Sequence, residues 1–473
     1  MTLITVSNSC PRWDGGKLLP RSPGGLVPML IALLEQHGGQ WIFTAPPDLP
    51  ATEEVRLDGG IRLHPMAFDE QARHQHYDLI SINLFLGLLH YTHDTAVQPV
   101  FDRTLLAAWD GYEAVNRAYA KRLEELATGG PDELILINDP HLMLVPELFT
   151  AGTDGRRSPL AYFLGTPWCE PDYFGLLPAP IRVRVLESLL RCDIVGFHAQ
   201  RWVAAFLACC ARYLPDATID GRTVRHRDRT TTLVAVPFPL DVDTVRQLRD
   251  EPATERWHGE LAERAGGRRT LVRADRLDLW KNLPRGFAAY EAMLDRRPEL
   301  AAECWFAAVV TTPTRATRRH RAYQEQCEAL VRRINERFGT PDREAVSLIY
   351  PGSRGDSRNC VAAAIGMSRA AIVNSTYDGL NLFAKEAALL LDEHGSLLLS
   401  TNAGVYEQLA AHVVALDPFD IDQTSRAMEA VLDGTERHTS AAARRELLSR
   451  ETPQRWLTSV FTGAEVDERR AAS

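Results

Sequence analysis

The stretch Asn374–Glu386, NSTYDGLNLFAKE, brings together two carboxylates, a glycine and two side-chain amides. It follows the short apolar run Arg369–Val373 and leads into apolar residues at helical spacing from Leu382 to Leu391. A strand end, a turn at Asp378-Gly379 and a helix start make an anion site, because the first N–H groups of a helix have no partner inside it. Glu386 lies about two helical turns beyond Asp378 and can accept hydrogen bonds from a ribose. A plainer reading of the same residues is a capped helix with a solvated Lys385–Glu386 pair. A second cluster is Ala274–Lys281, ADRLDLWK, where Arg276 and Lys281 suit a pyrophosphate that gains charge as it leaves. The alternative there is a surface ion-pair loop built on Asp275 and Asp278. Gly24-Gly25 opens a helix and lets a phosphate approach the backbone closely, or else makes a tight turn. Asp139 ends a buried strand, where open α/β sheets place ligands. His141, two residues on, reads as a hydrogen-bonded core histidine, and Trp168 either stacks on a sugar or cation or plugs its domain. Asp241-Val242-Asp243 looks like a paired-aspartate metal motif, but its place at a helix start explains both carboxylates as capping and dipole complement.

The elements that must hold these residues alternate. Strands are expected at Thr2–Val6, Leu134–Asn138, Leu160–Leu164, Asp193–Phe197, Thr270–Arg273, Trp305–Val310, Ser347–Tyr350 and Ser396–Ser400. Between them lie helices at Leu26–Gln36, Phe101–Leu126, Ile181–Leu190, Arg201–Tyr213, Leu283–Arg297 and Asn359–Met367, with a hairpin or loop over Asp216–Thr231 and a helix over Gly404–Ala411. This order predicts an α/β protein of two doubly wound, Rossmann-like domains facing a central cleft, 1–236 and 237–452, with the terminal helix at about 453–466 packing back on the first. Val234–Pro239 marks a hinge.

With 473 residues the chain is too long for one ordinary core, and a net charge of -9 speaks against nucleic acid as a general partner. Eight cysteines without metal-ligand spacing read as reduced core thiols of a cytoplasmic protein, and the start lacks a secretory pattern. No stretch is long and apolar enough to span a bilayer, so no membrane partner is expected.

Taken in order, VSN at Val6–Asn8, GGL at Gly24–Leu26, WDGY at Trp109–Tyr112, DPHL at Asp139–Leu142, DIVGF at Asp193–Phe197, RLDLWKNLP at Arg276–Pro284 and DGLNLFAKE at Asp378–Glu386 resemble the trehalose-6-phosphate synthases. Those are retaining GT-B glycosyltransferases that use nucleotide-sugar donors without a metal or other cofactor. The resemblance implies donor binding by Gly24, Gly25, Arg276, Lys281, Asp378, Gly379, Asn381, Leu382 and Glu386. Gly25 would approach the phosphate or sugar, Asp378 would bond sugar hydroxyls, and Asn381 and Leu382 would offer backbone N–H groups.

The acceptor half departs from the resemblance. Ser9 stands where an arginine is expected, Ile82 for a phosphate-binding tyrosine, Tyr91 for a tryptophan and Gly165 for a histidine. Tyr91, Asp139, Gly165, Trp168 and Arg315 are the expected acceptor residues, with Arg276, Lys281 and Asp139 as the catalytic set. Losing an arginine and a tyrosine hydroxyl removes contacts worth about 1.5–3 kcal/mol each to a charged group. The sequence therefore points to transfer onto a small unphosphorylated acceptor of specialised metabolism. A thiol such as ergothioneine fits, with Tyr91 and Trp168 facing its trimethylammonium; an aminocyclitol is a further candidate. Guanosine is favoured over uridine as the donor base; Asp356, near Arg354 and Arg358, either pairs with a guanine edge or belongs to a set of solvated loop charges. Trehalose-6-phosphate synthesis and a catalytically dead sensing subunit remain the alternatives, and a homo-oligomer stays open.

Overall fold

The computed structural model describes residues 2–14, 17–19, 25–46, 54–130, 132–151, 158–313, 315–352, 356–435 and 440–463. The chain divides into two compact units, Met1–Pro239 with Pro453–Ser473, and Leu240–Thr452. Among the described residues no helix is long and apolar enough to cross a membrane.

The first unit is built on a ten-stranded sheet. Seven of its strands run parallel, in the spatial order Arg229–Ala235, Ile194–Phe197, Leu160–Phe163, Glu133–Asn138, Thr2–Ser7, Gly39–Thr44 and Ile61–Met66. Their near-continuous apolar runs are buried, as a parallel sheet covered on both faces requires. The polar stretch expected as a hairpin becomes the antiparallel edge Thr218–Asp220 and Thr223–His226. From Thr2–Ser7 the chain first winds one way to Ile61–Met66, then restarts on the other side at Glu133–Asn138. That reversal puts a topological switch point at the carboxyl ends of two adjacent strands, beside Asn8 and Asp139. The terminal helix Pro453–Thr462 belongs to this unit: Trp456 donates its indole N–H to the Val236 carbonyl at 3.1 Å and packs edge-on against Phe163 and Phe238.

The second unit has six parallel strands in the order Val346–Ile349, Cys304–Thr311, Arg269–Arg276, Ser368–Val373, Ser396–Ser400 and Val414–Leu416. Phe287, Tyr290, Met293, Phe306, Ile372 and Met428 sit in its core. The same reversal occurs here between Arg269–Arg276 and Ser368–Val373, so the loops 277–282 and 374–381 leave the sheet side by side. The boundary expected at 236/237 lies next to the division between units. The helix expected over Gly404–Ala411 is shorter, Tyr406–Leu409 followed by a 3₁₀ turn Ala410–His412. The helices Ile421–Asp433 and Ala441–Ser449 and the π-helical run His74–Leu86 were not anticipated.

Candidate functional site

At the switch point of the second unit, Lys281 Nζ lies 2.6 Å from Asp378 Oδ2. Ser375 and Asn381 donate to the same carboxylate oxygen at 3.1 and 2.9 Å. Asn381 turns the chain in the left-handed region, φ 79°, and its side chain accepts the Ala384 N–H to cap the helix Leu382–Leu390. The turn therefore pivots on Asn381; Gly379, expected to supply it, has no positive φ. An asparagine tolerates this conformation because its short amide bonds locally. Desolvation works against the Lys281 ammonium, but Asp378, Asp275 and Asp278 outweigh it and hold its pKa above the usual value. Leu382 begins the helix, where backbone N–H groups lack intrahelical acceptors.

Arg276 is half exposed and pairs with Asp278 at 2.5 Å. Burial alone would raise Asp278, yet Arg276 and His320 bring it down to about 2. The ion-pair loop is real, but its acids are buried rather than superficial. Beneath it lies Arg273, fully buried in the strand. It donates to Asp275 at 2.9 and 2.7 Å, to Asn374 at 3.0 Å and to the Lys281 carbonyl at 2.8 Å. Gly286 makes room for it, since a Cβ there would stand 2.6 Å from Arg273 Nη1. Asn282, φ 59°, donates to the carbonyls of Asn374 and Pro418, both at 2.8 Å, tying three loops together. Arg273 and Asn282 escaped sequence reasoning; an arginine inside the apolar run TLVRA was the available signal.

Glu386 stands further along the helix. Burial pushes its carboxyl up to about 7, partly offset by Arg358. Among the described residues, the buried Arg358 Nε and Nη2 atoms have no hydrogen-bond partner, nor does Asp356 Oδ1. This arrangement can accept a sugar diol at Glu386 and offer donors from Arg358. The solvated Lys385–Glu386 pair does not exist: Lys385 is fully buried and its ammonium meets Glu451 at 2.7 Å. Arg354 lies outside the described residues. Asp241 accepts the Thr244 N–H at 3.0 Å, the capping role expected of it. Arg315, partly buried, sits in the turn between the strand Cys304–Thr311 and the helix Arg318–Phe338.

In the first unit, Gly24 lies outside the described residues; Gly25, φ 97°, is the N-cap of the helix Leu26–His37. Asp139 follows its strand at φ 69°, and burial raises its carboxyl to about 7. The ring of His141 stacks on Tyr77 at 5.4 Å, and its two buried nitrogens have no hydrogen-bond partner among the described residues. His141 packs inward as expected, but the hydrogen bonds it accepts, from His76 and Asn116, reach its carbonyl and not its ring. Trp168 is wholly buried among Phe174, Phe197 and Phe206, so it plugs the domain and cannot face a ligand. Tyr91 packs at a tilt against Tyr173, centroids 4.7 Å apart, and its hydroxyl accepts the Glu170 N–H at 2.6 Å, so Tyr91 and Trp168 do not form the expected cation cage. Ser9 is partly buried and its carbonyl accepts the Ser7 hydroxyl at 2.9 Å.

Two doubly wound units, one with cations, carboxylates and a helix start gathered at its switch point, define a GT-B glycosyltransferase that draws on a nucleotide sugar. The chain belongs to glycosyltransferase family 20, whose model matches residues 11–465. It is 30% identical over 438 residues to an α,α-trehalose-phosphate synthase [UDP-forming] 2 of Aspergillus niger, covering 90% of this chain and 88% of that one. A Schizosaccharomyces pombe α,α-trehalose-phosphate synthase [UDP-forming] is 27% identical, covering 93% and 85%. Among solved structures, the Escherichia coli trehalose-6-phosphate protein bound with UDP-2-fluoro glucose matches with a TM-score of 0.84 at 24% identity, covering 98% of both chains. A UDP-forming α,α-trehalose-phosphate synthase of Burkholderia vietnamiensis matches at 0.83 and 25%, covering 100% of this chain and 98% of that one.

Proposed function

We propose that this enzyme transfers a glycosyl group, with retention, from a uridine-diphosphate sugar to a hydroxyl of a hexose phosphate, the reaction of trehalose-phosphate synthesis. The observation that carries the donor half is the set Lys281, Asp378 and Asn381 bonded together at the switch point, with Arg276 and the start of the helix Leu382–Leu390 alongside. Lys281, Arg276 and the helix N–H groups meet the charge of the leaving diphosphate. Asp378 takes sugar hydroxyls and Glu386 the ribose. On the same face, the departing phosphate oxygen receives the acceptor's proton, so no cofactor enters the reaction. The UDP-forming relatives favour uridine over the guanosine expected from sequence, and a sugar phosphate over a thiol.

A second reading, transfer to an unphosphorylated acceptor, rests on Ser9, Ile82 and Gly165, which stand where the family resemblance leads one to expect phosphate-binding or catalytic side chains. The burial of Trp168 withdraws the particular support for a trimethylammonium-bearing thiol. A dead sensing subunit would have no evident use for the intact donor set. A melting screen with UDP, GDP and ADP, followed by mass spectrometry of UDP-glucose incubated with glucose 6-phosphate, free sugars, amines and thiols, separates these readings. UDP binding with a trehalose-phosphate mass is expected; a product only from unphosphorylated acceptors would establish the second reading, and nucleotide binding with no turnover the third.

A further inference from the structure

Six large apolar side chains are exposed among the described residues, and three of them, Val97 (63%), Val100 (63%) and Leu106 (45%), fall between positions 97 and 106. They belong to the first turn of the helix Arg103–Leu126 and the loop that leads into it. One face of this helix is already covered. Trp109 and Tyr112 are buried there and pack against Phe85 of the π-helical run.

The other face carries Arg103, Leu106, Ala107, Asp110 and Ala114, all exposed. At about 3.6 residues per turn these positions form one stripe along the helix. An outward face that met only water would be charged and polar, whereas three of these five side chains are apolar. Arg103 and Asp110 stand two turns apart, about 10.5 Å along the axis, too far to pair with each other. Neither makes an ion pair among the described residues. Arg117, further along the stripe, is by contrast held by Glu113 at 2.5 Å.

This pattern is self-complementary in one arrangement. Let two copies of the helix cross antiparallel about a two-fold axis between Leu106 and Ala107. Each Arg103 then meets Asp110 of the partner subunit, Leu106 packs on the small Ala107, and the loop bearing Val97 and Val100 falls toward the end marked by Ala114. Moving the axis one turn along, to Asp110, sets Asp110 against itself and Arg103 against Arg117, like against like. An isologous contact needs such reciprocity, with apolar burial driving association and the charges fixing register.

We propose that this face of the helix Arg103–Leu126, with the loop before it, is the interface of a two-fold symmetric homodimer held in register by reciprocal Arg103–Asp110 pairs. It stands apart from the sugar-transfer reading and from the residues assigned to it.

The test is sedimentation velocity of the full-length protein from about 1 to about 100 µM, the range in which an interface at the small end of the usual size assembles. The wild type is expected to pass from monomer to dimer. Arg103→Asp and Asp110→Arg each bring like charges together twice in the dimer and should raise its dissociation constant about ten-fold or more. An equimolar mixture of these two variants re-forms the dimer, because each presents the charges that the other lacks, and both changes in one chain do the same. Leu106→Glu removes the dimer across the whole range. All three positions are exposed, so the variants keep the fold. A wild type that stays monomeric, an assembly that the charge reversals and Leu106→Glu leave intact, or single variants that their mixture fails to rescue would each overturn the interface.

Discussion

Replacing Lys281 by alanine removes the ammonium facing Asp378 and leaves that carboxylate, 7% exposed, without its cation. Arg276 is less enclosed, so Arg276→Ala removes a donor while leaving less disorder behind. Each contact to a charged group is worth about 1.5–3 kcal/mol, so kcat/KM should fall about 10- to 150-fold in either variant. Near-normal steady-state rates with UDP-glucose would remove the diphosphate role. Glu386 makes a separate prediction. Its carboxyl lies near 7 in the fold against an ordinary 4.5, so between those values the folded state binds more protons than the unfolded one. Its contribution to stability therefore declines as pH rises from about 4.5 to about 7 and is level beyond. Asp139, raised to about 7, acts in the same direction. Urea midpoints from pH 4.5 to 8 should decline more in wild type than in Glu386→Gln; parallel curves would contradict the shift. Arg276, Lys281, Asp378 and Glu386 were legible because they stand at fixed offsets from a strand end or helix start. Arg273 was not, since Asn374, which it bonds across the two loops, lies far away in sequence. Trp168 shows the converse: residue type suggested a ligand wall, and only tertiary packing put it in the core.

Among the elements, the loops of the second unit depend on Asn282. Its amide satisfies two buried carbonyls while its backbone holds a left-handed turn. Asn282→Ala leaves both carbonyls without that donor and adds backbone strain, so it should cost about 2–5 kcal/mol in chemical denaturation. The Lys385–Glu451 pair ties the helix bearing Glu386 to the last residues of the unit. Lys385→Met should destabilise by about 3–5 kcal/mol because Glu451 is left without its cation, and Lys385→Met with Glu451→Leu should recover much of it. Equal losses in the single and double variants would show that packing, not charge, governs the site. Strands were readable from apolar runs and long helices from their spacing. The π-helical run His74–Leu86 was not, because its side chains follow neither the helical nor the strand period.

At the scale of the molecule, the proposed nucleotide-binding residues Arg276, Lys281, Asp378, Asn381 and Glu386 all belong to Leu240–Thr452, which has its own hydrophobic core. Calorimetry should resolve two transitions, with UDP at 100 times its dissociation constant stabilising one of them by about 2.7 kcal/mol. A shift of both by equal amounts would mean that the units unfold together. The alternation of strands and helices made two doubly wound units foreseeable, whereas the sheet order came from pairings that no local pattern encodes. The terminal helix Pro453–Thr462 has a further consequence. Trp456 completes the packing around Phe163, Phe238 and the Val236 carbonyl only after more than two hundred intervening residues have been made. On the ribosome, the earlier-born unit must therefore wait, its hydrophobic socket unfilled, until the later one has emerged. A nascent chain stalled short of residue 453 would present that socket to chaperones.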